Sequence, residues 1–160
     1  MARLNAPKRE IVTGLALGDK KFAIVVSRFN AVITGALQSG AQDCFKHHGV
    51  VESSVDIVYV PGSLEIPVAC AKLAESKKYA AIVALGAVIR GETHHFEVVA
   101  NCSTAALVKL SIQYKIPIGC GILTVDNLRQ AKARASGKGE NKGWEAAKVA
   151  LQMADLMEKL

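Results

Sequence analysis

Aromatic residues are scarce in this chain of 160 residues, since four Phe, three Tyr and one Trp make up only 5% of it. Alanine, by contrast, occurs 24 times. A core with so few large rings must be aliphatic and closely packed, which favours helices laid on a sheet. Hydrophobic residues at 51% and charged residues at 21% exclude an intrinsically disordered chain. The length predicts a single domain over residues 1–160, with residues 1–10 as a flexible N-terminal arm.

Long hydrophobic runs are also missing. No window reaches the ~18 uninterrupted apolar residues that a membrane-spanning helix needs. The first ten residues, MARLNAPKRE, lack the hydrophobic stretch of a signal peptide. We therefore expect a soluble, cytoplasmic protein with no membrane partner.

The spacing of the four cysteines does not match that of metal ligands. Cys44, Cys70, Cys102 and Cys120 lie inside apolar runs, and no two of them form a C-x-x-C pair. Such spacing supplies neither a zinc site nor a redox couple. We predict that all four are reduced core residues and that the protein holds no metal.

The glycine pattern contains no nucleotide-binding fingerprint. Gly119 and Gly121 lie inside an apolar run rather than after it, and Gly137 and Gly139 follow no predicted strand. Neither pair supplies G-x-G-x-x-G or G-x-x-x-x-G-K-[ST], so NAD and ATP are not predicted. The net charge is +6, yet the basic residues are not interleaved with aromatics, and we predict no nucleic-acid partner. A phosphorylated small molecule explains this modest excess equally well.

Four short apolar runs predict strands. Three of the four are rich in Val and Ile, as parallel strands buried on both faces are. A weaker run, Ile11 to Leu17, is the candidate for an edge strand. The four runs are Phe22 to Val26, Val55 to Val60, Ala80 to Leu85 and Ile118 to Leu123.

Segments with a helical period separate these runs. Asn30 is placed to cap the first helix and Gly49 to end it. Pro67 is tolerated in the first turn of the second helix, and the third ends before Pro117. A short helix over Asn127 to Ala135 is also predicted. Because strands alternate with helices, the fold class is α/β, with a mainly parallel sheet covered on both faces by helices. The predicted apolar helix faces are Ile33, Leu37, Ala41, Cys44 and Phe45; Ile66, Ala69, Cys70 and Leu73; Val99, Cys102, Ala106 and Leu110; and Ala147, Ala150, Leu151, Ala154 and Met157.

Four loops are candidates for a binding site, because ligands of open parallel sheets bind beyond the carboxyl ends of the strands. They begin at Ser27, Pro61, Gly86 and Thr124. The segment from Gly86, GAVIRGETHH, is the most informative, since its glycines let the backbone approach a ligand and its polar residues stand where a helix begins. Free amide groups at such a helix terminus suit a phosphate, and Thr93 adds a hydroxyl donor.

Two adjacent histidines, His94 and His95, end this segment. On a helix they point about 100° apart and cannot both face one site, so we expect one to be functional and the other to face solvent. A histidine titrates near neutrality and can move protons there. The competing interpretation is a structural histidine at a helix start. A metal site is not predicted, because no third ligand stands at a fixed spacing.

Other candidate residues keep two interpretations each. Phe29, directly after a predicted strand, is a core residue by default or a platform for a planar ring. Glu65 is a helix-start carboxylate favoured by the helix dipole, or an acceptor for ligand hydroxyls. His47 and His48 fit the C-terminal end of a helix better than a catalytic role. The basic segment from Arg129 to Lys148 is a solvated helix face or, beside its glycines, a phosphate contact.

Four longer motifs stand in order along the chain: SRFN (Ser27 to Asn30), VPGSLEIP (Val60 to Pro67), LGAVIRGETHHFEVV (Leu85 to Val99) and NKG (Asn141 to Gly143). Together they resemble the 6,7-dimethyl-8-ribityllumazine synthase family in both order and spacing. The resemblance covers nearly the whole chain from about Ile11 onward.

The resemblance implies a fold, an assembly and a reaction. The fold is a flavodoxin-like three-layer α/β/α sandwich. The assembly is a homo-oligomer, a pentamer with active sites between adjacent subunits, and decamers, sixty-subunit icosahedral shells and association with riboflavin synthase also belong to the family. The reaction condenses 5-amino-6-(D-ribitylamino)uracil with 3,4-dihydroxy-2-butanone 4-phosphate in riboflavin biosynthesis. It yields the lumazine, phosphate and water without a metal or an organic cofactor.

Carried over position by position, the resemblance also implies roles for single residues. His95 matches the catalytic histidine, and His94 occupies a variable position. Phe29 is implied to stack on the pyrimidine and Glu65 to accept hydrogen bonds from the ribityl hydroxyls. The further residues implied are Ser63, Leu64, Ala87, Val88 and Ile89 for the ribityl-pyrimidine substrate, Glu92, Thr93 and Arg134 for the phosphate, and Lys138 and Lys142 as added positive charge beside it.

The chain departs from the family pattern at Cys120. Many members carry there an aromatic residue that closes the pyrimidine pocket across the subunit boundary. Because cysteine cannot stack, this position predicts weaker binding of the uracil or compensation by another side chain. The segment from Ser136 to Gly143 is predicted as a loose, basic, glycine-rich turn. The loop from Ala135 to Gly143 has no extra residues relative to shell-forming members, which permits a capsid.

Two alternatives to this enzyme remain on sequence grounds. One is a non-catalytic shell or storage protein of the same fold that binds flavin or phosphate. The other is the related archaeal-type riboflavin synthase, whose motifs differ from the GETHH-type loop found here.

Overall fold

The computed structural model describes residues 15–137 and 140–160. These ranges contain four strands, five α-helices and two short 3-10 turns, at Glu52–Ser54 and Ser63–Glu65. The strands are β1 (Phe22–Ser27), β2 (Val55–Val60), β3 (Ala81–Ile89) and β4 (Ile118–Val125), and the helices are α1 (Ala31–His47), α2 (Ile66–Glu75), α3 (His95–Tyr114), α4 (Leu128–Ala135) and α5 (Lys142–Lys159).

All four strands are parallel, in the order β2-β1-β3-β4. Phe22 pairs with Val55 on one side and with Ala81 on the other, and Ile82 pairs with Ile118. The strand order reverses between β1 and β3, which is the topological switch point of a flavodoxin-like sheet. The predicted α/β class and parallel sheet are thereby confirmed.

Helices cover both faces of the sheet and make three layers. Helices α1, α4 and α5 pack on one face, and α2 and α3 pack on the other, so each face has its own core cluster. Every residue of β1 is buried. A fully buried Phe or Ile contributes about 1.5–3 kcal/mol, so this central strand anchors both clusters. Within the described ranges, no helix has the length and apolar character needed to cross a bilayer.

Small residues let the layers approach closely. A Cβ placed on Gly143 would lie 1.9 Å from the carbonyl oxygen of Leu37, where α5 crosses α1. A Cβ on Gly119 would lie 2.1 Å from the carbonyl oxygen of Ala146, where β4 meets α5. Alanine allows the same close packing of α5, since Ala146, Ala147 and Ala150 all lie in the buried face of this helix.

Asn141 joins three helices through its side chain. Its Nδ2 donates to the carbonyl oxygens of Ala36 at 3.0 Å and Ala135 at 2.8 Å. Its Oδ1 accepts from the amides of Gly143 at 2.8 Å and Trp144 at 3.2 Å, which caps α5. All the hydrogen-bonding capacity of this buried amide is used, so the NKG motif positions α5 against α1 and α4.

Several predicted boundaries need correction. Strand β3 continues through Gly86 to Ile89, so the loop predicted to begin at Gly86 begins four residues later. Residues 15–17 form no strand, and the rest of the predicted edge strand, like the arm over 1–10, lies outside the described residues. Helix α5 already begins at Lys142, inside the predicted basic turn. Met157, predicted on the buried face of that helix, is 38% exposed.

The prediction that all four cysteines belong to the core is wrong for two of them. Cys44 and Cys70 are fully buried, and burial raises the pKa of their thiols to about 11 and about 12. Cys102 and Cys120 are exposed and free. Cys120 lies on the edge strand β4, which no further strand covers within the described residues. Cys102 is turned away because the buried face of α3 is formed by other residues, namely Ala100, Ser103 and Leu107.

Candidate active site

A crevice of about 400 Å³ opens beyond the carboxyl ends of β1, β2 and β3. It lies beside the switch point between β1 and β3, where open α/β sheets bind their ligands. Nine residues to which the sequence assigns individual site roles line it, together with four others from the same motifs. The nine are Phe29, Ser63, Leu64, Glu65, Ala87, Val88, Ile89, Thr93 and His95, and the four are Gly62, Gly91, Phe96 and Val99.

The loop after β1 is tied to the loop after β2 by its backbone. The amide of Arg28 donates to the carbonyl oxygen of Val60 at 2.8 Å, and that of Phe29 donates to Pro61 at 3.1 Å. The ring of Phe29 is 72% exposed, so the default interpretation as a core residue is wrong. Phe29 instead offers an open aromatic face at the rim of the crevice.

Asn30 orients the same loop, although not as predicted. It has left-handed backbone geometry, with φ 59°, and its side chain makes no capping hydrogen bond to α1. Its Nδ2 donates instead to the carbonyl oxygen of Ala87 at 2.9 Å. Asn30 therefore joins the β1–α1 loop to the strand that forms the inner wall of the crevice.

The loop after β2 forms the opposite wall. Ser63 is 7% exposed, whereas Leu64 and Glu65 are exposed. A Cβ on Gly86 would lie 2.6 Å from the Ser63 hydroxyl, so only glycine in β3 lets this loop settle against the sheet. The Glu65 carboxylate stands just before α2 and is open to a ligand, which leaves both of its sequence interpretations compatible with the structure.

The two adjacent histidines diverge at the start of α3, as predicted. His95 is exposed and lines the crevice, and its amide donates to the Thr93 hydroxyl at 3.4 Å. His94 is directed elsewhere, with Nδ1 at 3.6 Å from a carboxylate oxygen of Glu97. An open imidazole beside the free amides of a helix N-terminus can exchange protons with a bound molecule whose anionic group those amides hold.

A cluster around Arg90 fixes this helix start. The Arg90 guanidinium lies over the Phe96 ring, 4.3 Å from its centroid, and binds Glu97 on α3. Its Nε also donates to Asp126, after β4, at 3.1 Å. These hydrogen bonds from Arg90 hold the pKa of Glu97 and of Asp126 below the ordinary range. Sequence reasoning missed this cluster, because its members are brought together only by the sheet.

Four predicted site residues do not reach the crevice of the single chain. Cys120 lies on the outer edge of the sheet. Arg134, exposed on α4, donates to the carbonyl oxygen of Gln130 at 3.3 Å, and Lys142 pairs with Glu145 at 2.7 Å. Glu92 is exposed in the loop before α3 but does not line the crevice. Lys138 lies outside the described residues.

Metal ligands do not cluster in the part of the chain that the structure describes. No group of three or more His, Cys, Asp or Glu side chains there could hold a metal ion. The crevice presents instead an aromatic ring, a carboxylate, hydroxyls, backbone groups and one imidazole. Such a set can bind a planar ring, a polyol chain and an anion, and can move protons.

The fold and the crevice together define a class: a flavodoxin-like α/β protein with a ligand site at the switch point of its parallel sheet. A model of the family described as 6,7-dimethyl-8-ribityllumazine synthase matches residues 19–158. The chain belongs to this family, and its function is that of a lumazine synthase, an enzyme of riboflavin biosynthesis.

Two curated relatives carry the family name. A 6,7-dimethyl-8-ribityllumazine synthase of Thermosynechococcus vestitus is 51% identical over 148 residues, which cover 90% of this chain and 83% of the relative. One of Kosmotoga olearia is 47% identical over 140 residues, covering 88% of this chain and 90% of the relative. Both similarities extend over about nine tenths of this chain, and they do not favour the alternative of a non-catalytic shell protein.

Proposed function

We propose that the crevice is the active site in which 5-amino-6-(D-ribitylamino)uracil condenses with 3,4-dihydroxy-2-butanone 4-phosphate. One observation carries this proposal. Three segments far apart in the sequence, represented by Phe29, Ser63 to Glu65 and Ala87 to His95, converge on one crevice at the switch point of the sheet.

The inner part of the crevice suits the ribityl-pyrimidine substrate. The exposed ring of Phe29 offers a stacking surface for the pyrimidine. Backbone groups of Ala87 to Ile89, at the end of β3, can pair with the polar edge of the uracil. The Glu65 carboxylate accepts hydrogen bonds from the ribityl hydroxyls, with Ser63 and Leu64 beside it.

The start of α3 suits the phosphorylated substrate. The first amides of a helix carry partial positive charge and bind phosphate, and the Thr93 hydroxyl lies beside them. Glu92 contributes through its backbone amide. Arg134 and Lys142 supply positive charge from an adjacent subunit, since neither lines the crevice of its own chain. Lys138 adds positive charge near the phosphate.

His95 moves the protons that the condensation requires. Formation of a Schiff base between an amine and a ketone, loss of phosphate and ring closure each need a proton transfer. One imidazole between the two substrate positions can serve several of these steps, and such catalysis contributes about 10²- to 10⁴-fold. Holding two substrates in register contributes more, up to about 7–11 kcal/mol of the barrier.

A homopentamer completes this site, and decamers or sixty-subunit shells are assemblies of the same unit. Support comes from the apolar side chains that the single chain leaves open on α3, where Val98, Val108 and Ile112 are 43%, 62% and 73% exposed. Patches of this kind mark contacts between proteins. The exposed position of Cys120 on β4 is consistent with the resemblance, which places this residue at a neighbour's pocket.

The proposed site of action is the cytoplasm. Support for it comes from the cysteines, all four of which are free, as is usual in a reducing compartment.

The reaction and the assembly are tested separately. Purified protein incubated with both substrates should give the absorbance of the lumazine together with stoichiometric phosphate. Tight flavin binding without either product would instead support the non-catalytic shell protein. Light scattering should give about 85 kDa for a pentamer or about 1 MDa for a sixty-subunit shell, from a chain mass of 17.0 kDa. A monomer of full activity would contradict a site completed between subunits.

A further inference from the structure

The hydroxyl of Ser27 is a buried polar group without a partner among the described residues. Ser27 is the last residue of β1 and has 0% exposure. Its Oγ is shielded from solvent and makes no hydrogen bond with residues 15–137 or 140–160. An unpaired buried hydroxyl destabilises a folded chain, so its presence at the end of a strand bordering the active site calls for a physical reason.

The neighbouring strand leaves a gap beside this hydroxyl. A Cβ on Gly86 would lie 2.6 Å from Ser63 Oγ, 3.2 Å from Ile66 Cδ1 and 3.4 Å from Ser27 Oγ. Two hydroxyls therefore flank the space that glycine leaves open, and the third neighbour is apolar. Ser63 lies on the crevice side of the space, since it lines the crevice, and Ser27 lies on the buried side.

The chemistry of the two hydroxyls is complementary. A serine hydroxyl has one proton and can accept two hydrogen bonds. When the Ser63 hydroxyl donates a hydrogen bond to a ligand oxygen, its own oxygen becomes a better acceptor, because hydrogen bonds in a chain polarise one another. The hydroxyl of Ser27, which would lie 3.4 Å from a Cβ on Gly86, is an unpaired donor on the buried side of the same space.

We propose that Ser27 is a positioning residue for the ribityl chain. On substrate binding, rotation of the side chains lets Ser27 Oγ–H donate to Ser63 Oγ, and the Ser63 hydroxyl donates to a hydroxyl oxygen of the polyol. This inference rests on the proposed function, which places the ribityl chain at Ser63. The unpaired hydroxyl is then kept for the bound state, at some expense to the stability of the free enzyme.

Replacing Ser27 by alanine separates this role from a structural one. Without ligand, Ser27→Ala removes an unpaired group and should leave the melting temperature unchanged or raise it. With substrate, the KM for the ribitylaminouracil should rise about threefold to tenfold, the size of one neutral hydrogen bond. The kcat and the KM for the butanone phosphate should stay within about twofold. For Ser27→Cys, which keeps a weak donor, the KM for the ribitylaminouracil should lie between those of wild type and Ser27→Ala.

Three further measurements make the test specific. Ser63→Ala should raise the same KM, and the double variant Ser27→Ala/Ser63→Ala should be no worse than Ser63→Ala alone, because the two hydroxyls act as one chain. With a 6-alkylamino analogue that lacks the polyol, Ser27→Ala should have no effect on KM.

The possible outcomes distinguish a failure of the role proposed for Ser27 from a failure of the proposed active site. If Ser63→Ala raises KM but Ser27→Ala does not, or if the two effects add, Ser27 is not a positioning residue and the site assignment stands. If Ser27→Ala lowers the melting temperature and leaves KM unchanged, its role is structural. If neither variant changes KM, the ribityl chain does not lie at Ser63, and the assignment of the crevice itself fails.

Discussion

The side-chain amide of Asn30 donates a 2.9 Å hydrogen bond to the backbone carbonyl of Ala87, across the mouth of the sheet. This bond joins the loop that carries Phe29 to the strand that forms the inner wall of the crevice. The same residue has a φ of 59°, a left-handed geometry that asparagine tolerates better than most side chains do. One residue thus meets both a backbone and a side-chain requirement of the site.

Substitutions of Asn30 should separate these two requirements. Asn30→Ala loses the hydrogen bond and strains the left-handed backbone, and we expect the free energy of unfolding to fall by about 2 kcal/mol. Asn30→Gly loses the bond alone and should cost about 1 kcal/mol, because glycine adopts this φ freely. Urea denaturation measures both. Both variants should raise the KM for the pyrimidine substrate, and an Asn30→Gly variant of unchanged KM would show that the bond does not orient the loop.

Arg90 should control catalysis through the start of α3. Arg90→Met removes the bonds to Glu97 and Asp126, which frees the turn that carries His95, so kcat should fall about tenfold or more. Lys72→Met, which removes an exposed ion pair with Glu75 on α2, is the matched control and should leave kcat within about twofold. Steady-state kinetics decides between them, and equal effects of the two substitutions would contradict the positioning role.

The same cluster predicts a pH dependence of stability. Hydrogen bonds from Arg90 lower the folded-state pKa of Glu97 from 4.5 and of Asp126 from 3.8. A lowered pKa gives stability that is present above the unfolded-state value and is lost as the pH falls through the folded-state value. The difference in unfolding free energy between wild type and Arg90→Met should therefore be constant above about pH 5 and shrink as the pH falls below 4. A difference that grows in acid would contradict this assignment.

Asn141 should be the most sensitive capping position of the fold. Asn141→Ala leaves the carbonyl groups of Ala36 and Ala135 unpaired and removes the cap of α5, so we expect a loss of about 3 kcal/mol or more. Asn127→Ala is the matched control, because Asn127 caps α4 with a single 2.9 Å bond from the Gln130 amide. That variant should cost about 1 kcal/mol. Equal losses in thermal or urea denaturation would show that the hydrogen bonds to α1 and α4 contribute nothing.

Arg134 should act only on the phosphorylated substrate. In the proposed pentamer, Arg134 reaches the phosphate from an adjacent subunit, because it does not line the crevice of its own chain. Arg134→Ala should mainly raise the KM for the butanone phosphate and leave the KM for the pyrimidine substrate unchanged. An unchanged KM for the phosphorylated substrate would count against this role.

Local patterns predicted the fold well and the environment of single side chains less well. The Val- and Ile-rich runs identified the central strands because burial on both faces demands such residues. The sequence predicts the end of β3 too early, because a glycine is typical of a loop. Gly86 instead lies inside the strand, where the absence of a side chain leaves room for the Ser63 hydroxyl. The sequence predicts Phe29 as a core residue by default, since no neighbouring residue in the chain shows that its ring is left exposed in the fold.

The same limit applies to the site. The resemblance to the family named most of the residues that line the crevice, and the divergence of His94 and His95 followed from helix geometry alone. The Arg90 cluster could not be predicted, because Glu97 and Asp126 come from different elements. The exposure of Cys120 could not be predicted either, since it depends on the place of β4 at the edge of the sheet.

A comparison of His95→Ala with His94→Ala bears on the whole assignment of the active site. The two imidazoles are adjacent in sequence, but only that of His95 lines the crevice. We expect His95→Ala to lower kcat about 10²- to 10⁴-fold while leaving measurable turnover, because binding and orientation persist. His94→Ala should stay within about twofold of wild type. If His94→Ala proved the slower enzyme, or if both variants kept full activity, the crevice would not be the place where the protons of this reaction move.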